Sequence, residues 1–592
     1  MCGIAGLACF PGVRPDPALL QAMSDALVHR GPNGAGALDG EHAALRHRRL
    51  SIVDLEGGAQ PLSDGAIALV ANGEIYNDPA LRKSLPDVRF QTGSDCESPL
   101  YLWPKFRAQY TRHLRGMYAI ALLEQRGPEY ELVLSRDPFG IKPLYYASYS
   151  GGIAFASEPR ALLAAGIVPR QARPQARDQL LQAQFTTGAE TIFPGIRRLL
   201  PGETLRIAGG HIVERLHQSA LPALRPNVMT EEKALQELNR ALLDSVSAHE
   251  RADVPFGLFL SGGIDSAAIL AAMARLDCGR PLAWTARFDA GDVDESAEAK
   301  RLAQAVGAQH RVLTIDEKMV WQDLPKIVAA MDDPAADYAI IPTWFLARAA
   351  REQATVILSG EGGDELFAGY GRYRRAMRPW WRGGRPPYRR GMFDGLGVLR
   401  RAGAWRDGLS MGRNASKLRA AQTLDIAEWL PNDLLLKLDR CLMAHSLEGR
   451  TPLLDPVVAE VAWNLPDDLK IRNGQGKYLL RRWLQDALPE ARPFAPKQGF
   501  TVPIGAWIAA QGEPLGTLVA AQPCIAEIAD PARVKALFRH AASRKQRHAA
   551  WAFLFYALWH RLHIENISDQ GDVFETLSTS ASSSRRNSCI TI

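Results

Sequence analysis

The chain has 592 residues, 47% hydrophobic and 23% charged, with 70 basic and 64 acidic side chains and a formal charge of +6. That profile belongs to a folded, soluble protein and excludes a disordered or collagen-like chain, because its 50 Gly and 38 Pro follow no period. The charge is too mild to call for nucleic acid, and no apolar run reaches the ~18 residues of a membrane helix.

Residues 1–215 read as β-rich. Short apolar stretches (Ile67–Val70, Met117–Leu123, Glu131–Leu134) are separated by Gly, Pro, Asn and Asp turn signals. The opening MCGIAGLACFPG lacks a basic n-region and breaks at Gly and Pro, so it does not read as a signal peptide, and a cytoplasmic protein is expected. Residues 218–230, with Pro222 and Pro226, read as a linker. From Glu231 the spacing turns helical behind the N-cap candidate Thr230. The runs VPFGLFL (254–260), LAWTARF (282–288) and TVIL (355–358) then alternate with helical segments, the pattern of a parallel sheet wound with helices. Residues 420–565 read as mainly helical, and the Ser/Thr-rich tail from Asn566 reads as disordered. At about 150 residues per domain the length suggests roughly four domains; the motifs reduce this to two.

About 14 of the basic residues are lysine, so the positive charge is mostly arginine and a lysine with a task stands out. The seven cysteines (Cys2, Cys9, Cys96, Cys278, Cys441, Cys524, Cys589) contain no C-x-x-C pair, which points away from zinc and from a disulfide framework. Cys2 follows the initiator Met. Removal of that Met leaves an α-amine, with a pKa of about 8, within reach of the thiol as its base. Taken alone, a second-position Cys is an incidental small residue.

Its company is informative. MCGIAG (1–6) is followed by HRGPNGAG (29–36), RLSIVD (49–54), NGEIYN (72–77), TGSDCE (92–97) and RDPFGIKPLYY (136–146). In this order the blocks resemble the class II, N-terminal-nucleophile glutamine amidotransferases, in the form carried by the glutamine-dependent asparagine synthetase family. The resemblance implies that Cys2 attacks the glutamine amide and that Asn72 and the Gly73 N–H form the oxyanion hole. It also implies that Arg49, Leu50, Ser51, Ile52, Val53, Asn72, Gly73, Glu74 and Asp95 hold glutamine. Arg49 suits an α-carboxylate and Asp95 an α-ammonium; two preorganised donors suit the charge of a tetrahedral intermediate. The family usually carries Asp where Asn33 stands, a change that keeps the hydrogen-bonding shape of the turn. Cys9 and Cys96 have no base signposted beside them.

SGGIDS (261–266) sits between an apolar strand and an amphipathic helix, where small residues and helix-start amides make an anion site. No G-K-[ST] follows, so it is not a Walker A loop. It resembles the pyrophosphate loop of ATP pyrophosphatases that activate carboxylates by adenylation. SGEGGDELFAGY (359–370) is a second loop of this kind and resembles the synthetase family's own block. KLDRCLMAHSLEGRTPLLD (437–455) and GQGKYLLR (474–481) match later family blocks, with Glu448, Arg450 and Pro452 in place. The resemblance implies that Phe259, Ser261, Gly262, Gly263, Asp265, Ser266, Ala286, Ser359 and Gly360 contact ATP. Asp265 and Asp364 would share Mg²⁺, and Glu361 would support attack by ammonia on the acyl-adenylate. Given the scarcity of lysine, Lys477, after Gly474 and Gly476, is the candidate to neutralise departing pyrophosphate. The Arg-rich stretch 372–390 reads as a surface or ATP-site loop rather than a nucleic-acid patch, and the terminal Cys589-Ile-Thr-Ile as tail.

The expected fold is an α+β N-terminal domain, an αββα sandwich of the N-terminal-nucleophile hydrolase type (2–215). An α/β domain with a doubly wound parallel sheet and a helical C-terminal part follows (231–565), and then the tail (566–592). The expected activity transfers ammonia from glutamine to an adenylated carboxylate, first of all that of aspartate, through a shielded passage. The expected partners are glutamine, aspartate and ATP with Mg²⁺, without nucleic acid or membrane, in a candidate homodimer. Two alternatives stand beside this: the same chemistry on a peptide, glycan-precursor or metabolite carboxylate, and an idle regulatory or scaffold protein.

Overall fold

The computed structural model describes residues 2–126, 129–223, 229–277, 279–289, 295–382, 384, 391–401, 416–495 and 502–579. Linker residues 224–228, residues 383 and 385–390 of the Arg-rich stretch, Cys278, Cys589 and residues 580–592 of the tail lie outside them.

The N-terminal part contains β1 (Cys2–Cys9), β2 (Gly34–Asp39), β3 (Ala43–Arg49), β4 (Leu62–Ser63), β5 (Ile67–Ile75) and β6 (Gly116–Arg126). It continues with β7 (Glu129–Arg136), β8 (Tyr145–Tyr149), β9 (Gly152–Ala156), β10 (Ile196–Arg198), β11 (Glu203–Ala208) and β12 (His211–His217). They form two antiparallel sheets, ordered β10-β8-β9-β1-β3-β2 and β12-β11-β7-β6-β5-β4. The sheets face each other through Ile4, Ala8, Leu45, Val70, Leu123 and Phe155. Helices cover the outer faces: Pro17–Asp25 and Pro159–Ala164 on the first sheet, Ser98–Phe106 on the second. This is the expected αββα sandwich. With both faces covered, β1 is buried along its whole length, which explains its continuous small and apolar sequence.

The C-terminal part opens with the helix Glu231–His249, capped by the Thr230 side chain. β13 (Phe256–Phe259), β14 (Leu282–Phe288), β15 (Gln309–Ile315), β16 (Val356–Leu358) and β17 (Glu448–Arg450) then form one parallel sheet, ordered β15-β14-β13-β16-β17. The order reverses beside β13, so the carboxyl ends of β13 and β16 flank the switch point where α/β sheets bind ligands. β17 was not foreseen. Its three residues, Glu-Gly-Arg, lie within a stretch read as mainly helical, and its charges are buried by pairing with each other: Arg450 Nε donates to Glu448 Oε1 at 2.6 Å.

The expectation of a disordered tail needs correcting within the described residues. Asp572 and Glu575 form a capping box for the helix Val573–Ser578, whose Val573 and Leu577 are buried, four residues apart on one face. The Ser/Thr-rich composition begins only beyond this apolar pair. In the Arg-rich stretch, Arg372 turns inward, pairing with Asp425 at 2.6 Å and stacking 4.0 Å from the Trp429 ring. No described helix is long and apolar enough to cross a membrane.

Candidate active sites

At the glutamine end, antiparallel pairing places Cys2 opposite Arg49, and the Cys2 N–H donates to Asn72 Oδ1 at 3.0 Å. That contact turns Asn72 Nδ2 away, and this buried donor has no hydrogen-bond partner among the described residues. A buried unpaired N–H is costly and calls for an explanation; an acceptor that arrives only with a ligand is one. At Gly73 a Cβ would lie 2.2 Å from the Met117 carbonyl oxygen, so only glycine lets β5 pack this closely on β6. Glu74 is buried, with Oε2 accepting from Arg450 and Oε1 without a hydrogen-bond partner among the described residues. Burial, reinforced by Asp95, pushes its carboxyl well above the usual range. Asp95 Oδ2 accepts from the Ile75 N–H at 2.6 Å. Arg49 gives Nη1 and Nη2 to the carbonyls of Leu55 and Asp54 (3.0 and 2.5 Å), tying the loop that carries Leu50, Ser51, Ile52 and Val53 to the end of β3. Asn33 keeps its turn role, accepting from the Ser51 N–H at 3.1 Å. Burial pushes the Cys2 thiol up, so at neutral pH it holds its proton and needs a base to attack.

At the other end a cleft of about 860 Å³ opens over β13 and β16. Phe259, Ser261, Gly262, Gly263, Asp265, Ser266, Ala286, Ser359, Gly360, Glu361, Asp364 and Lys477 all line it. The first loop folds on itself: Ser266 Oγ accepts from the Ser261 N–H, and Ser261 Oγ from the Gly263 N–H, both at 3.1 Å. The second loop comes close because Gly363 has no side chain; a Cβ there would meet Asp265 Oδ1 at 2.3 Å. Lys477, in the left-handed conformation (φ 57°) at the start of the helix Tyr478–Ala487, pairs with both Asp265 and Asp364, the latter at 2.8 Å. Burial works against its charge, but the two carboxylates outweigh burial and raise its pKa.

Lys437 stands at the head of the block 437–455, for which the resemblance implies no role at this position. It lines the cleft with its Nζ 3.3 Å from Asp337 and 3.6 Å from Glu361. Burial opposes its charge, and the two carboxylates hold it cationic. The scarcity of lysine that singled out Lys477 points to Lys437 equally. Arg481 also lines the cleft, at the end of the GQGKYLLR block.

The boundary between the two sites is polar and buried. Arg30 forks onto Asp439, and Arg198 pairs with Asp333 at 2.6 Å. Lys142 Nζ donates to the Gly449 carbonyl at 3.0 Å. Arg450 bridges both ends: its carbonyl accepts from the Ser359 N–H at 2.8 Å, and its Nη2 donates to Glu74 at 3.2 Å. None of these pairs is visible in sequence spacing.

The asparagine synthase family model matches residues 237–561, and a glutamine amidotransferase domain model matches residues 1–218. This chain belongs to the asparagine synthase family. Asparagine synthetase [glutamine-hydrolyzing] 1 of Bacillus subtilis is 32% identical over 620 aligned residues, covering 95% of this chain and 97% of the relative. Asparagine synthetase B [glutamine-hydrolyzing] of Escherichia coli is 29% identical, covering 82% and 79%. Similarity also extends to a fungal protein, Amidase chyE of Penicillium rubens, 32% identical over 63% of this chain and 60% of that protein. As a member of the asparagine synthase family, the chain combines the two half-sites that a glutamine-dependent ligase requires.

Proposed function

We propose that the protein makes asparagine from aspartate, ATP and glutamine. The observation that carries this reading is the presence, in one chain, of an unpaired buried amide beside Cys2 and a cleft where two glycine-rich loops meet two carboxylates and a lysine.

With Met1 removed, the Cys2 amine takes the thiol proton and Sγ attacks the glutamine side-chain carbonyl. The oxyanion is held by Asn72 Nδ2 and the Gly73 N–H. Collapse releases ammonia, which leaves with the proton borne by the amine, and water then hydrolyses the thioester to glutamate. Arg49 and Asp95 face the α-carboxylate and α-ammonium of the substrate. In the cleft, an oxygen of the aspartate side-chain carboxylate attacks the α-phosphorus of ATP and pyrophosphate leaves toward Lys477. Ammonia attacks the acyl carbonyl, Glu361 receives a proton, and AMP leaves. Burial pushes the Glu361 carboxyl upward despite Lys437, which suits a group that takes up a proton.

Mg²⁺ fits this site. Asp265 and Asp364 converge on a single cationic centre, Lys477 Nζ, and two carboxylates with phosphate oxygens form a typical Mg²⁺ donor set. Bound there, the ion would neutralise charge on the polyphosphate. Ammonia would be protonated in open water, so a shielded passage between the sites is part of the proposal.

The test is pyrophosphate release from ATP with aspartate, glutamate or no acceptor, using ammonium or glutamine as donor. Release that needs aspartate supports the reading; equal release with glutamate or without acceptor refutes it. A second reading keeps the chemistry and changes the carboxylate, supported by the similarity to a protein named as an amidase. The same assay with peptide and glycan-precursor carboxylates separates the two.

A further inference from the structure

The backbone of Cys2 is held at both ends. Its N–H reaches Asn72 Oδ1, and its carbonyl oxygen accepts from Arg30 Nε at 3.1 Å. Among the described residues β9 pairs with β1 only from Ala5 onward and does not reach this carbonyl. Arg30 is wholly buried. Its orientation comes from two anions. Glu158, from its own domain, takes one contact from Nη1 at 2.6 Å. Asp439, from the synthetase domain, takes the fork: Nη1 at 2.8 Å and Nη2 at 3.0 Å.

We propose that Asp439 is a positioning residue for the glutaminase nucleophile, acting across the domain boundary through Arg30. A guanidinium is planar, so a carboxylate gripping both Nη atoms fixes its plane and the direction of Nε–H. The direction of Nε–H in turn fixes the Cys2 carbonyl. Held by Glu158 alone, the group keeps a contact but loses that plane. A displacement of about 1 Å at an attacking atom costs roughly 10²-fold in rate, so a remote carboxylate can govern turnover without touching substrate.

Asp439 also ties this grip to the ATP cleft. It lies on the helix Leu435–Met443, two residues from Lys437, which lines the cleft against Glu361 and Asp337. Two residues on a helix are about 200° apart, so one side chain faces the cleft and the other the glutaminase domain. The helix is a rigid bar between the sites, and a shift of Lys437 is a shift of Asp439.

This inference rests on the glutaminase role proposed for Cys2, which the parent protein tests first: no glutaminase activity there defeats that role, not the positioning. The experiment on the full chain is Asp439→Asn, which keeps the shape and breaks the fork. Glutaminase kcat should fall at least about tenfold, with the KM for glutamine changed less than about threefold. Ammonium-dependent synthesis should stay within about twofold of the parent. Alkylation of Cys2 by a glutamine-shaped diazoketone should slow in parallel with kcat. A glutaminase kcat within about twofold of the parent, or a parallel loss of both activities in a folded variant, overturns the proposal. Should Asp439→Asn fail to fold, Asp439→Glu decides by the same split. It keeps the charge and displaces the carboxylate, so selective loss of glutaminase supports the proposal and its retention refutes it.

Discussion

At the glutamine end Cys2, Asn72, Gly73 and Glu74 stand on strands of a sandwich, whereas at the ATP end Asp265, Asp364, Lys437 and Lys477 stand on, or at the start of, helices around the rim of an open sheet. The difference extends to their hydrogen bonds. Asn72 and Glu74 are buried with polar atoms unsatisfied, while the cleft's charged groups answer each other, Lys477 with Asp265 and Asp364, Lys437 with Glu361 and Asp337. A small neutral amide can complete an enclosed site by supplying the missing partners. A polyanion entering an open cleft must exchange with charges already balanced there, so its site is preassembled as ion pairs. The expected consequences of substitution differ accordingly: loss of a nucleophile at one end, loss of charge balance at the other.

The sharpest break is Cys2→Ala. Glutaminase and glutamine-dependent synthesis should fall by at least about 10³-fold, while added ammonium still drives pyrophosphate release and amide formation at near-parental rates. Full activity with glutamine in this variant would remove Cys2 from the mechanism. Lys477→Met is the mirror image. Synthesis with either nitrogen donor should drop by roughly 10²–10³-fold, as for loss of one preorganised charge, while glutaminase stays within about threefold. Equal damage to both activities would show that the ends are not separable in this way.

Arg450 tests the seam between them. Its guanidinium is fully buried and touches Glu448, Glu74 and the carbonyls of His249 and Arg251. Arg450→Lys keeps one charge but cannot make this set of contacts. The loss of a charged hydrogen bond at Glu74 should raise the KM for glutamine about tenfold, with ammonium-dependent synthesis changed little. Steady-state titration of glutamine against ammonium distinguishes this from general damage, which would lower both.

The seam is also where the sequence is least legible. The cleft could be read because a strand, a glycine-rich turn and a helix are contiguous, so SGGIDS carries its own context. The runs within β5, β6 and β7 could be read as apolar because both faces of these strands are buried there. Glu448–Arg450 could not, since its charges alternate like an exposed turn, and the groups that satisfy Arg450 in the interior, Glu74 and the carbonyls of His249 and Arg251, are distant in the sequence. The Arg30–Asp439 fork joins residues 409 positions apart, and no local pattern signals it. Lys437 was within reach, because a scarce lysine in a recognised block is the clue that marked Lys477.

Lys142 offers the smallest effect and a view of the seam by pH. It is 1% exposed, and burial, against Glu448 and Asp439, pulls its pKa from 10.5 to about 8. The folded value lies below the unfolded one, so between about pH 8 and 10.5 the unfolded chain binds more of this proton, and stability rises with pH. Below about pH 8 the lysine is charged in both states and its cost is constant. The full swing is about 3 kcal/mol, an upper figure for a charge that a backbone carbonyl partly satisfies. Lys142→Met abolishes this titration. Chemical denaturation of parent and variant at about pH 7.5, 8.5 and 9.5 should therefore show the parent gaining on the variant by about 1–2 kcal/mol across the series. Parallel stability curves would mean that Lys142 keeps its ordinary pKa at the boundary, and that the seam is wetter than its burial implies.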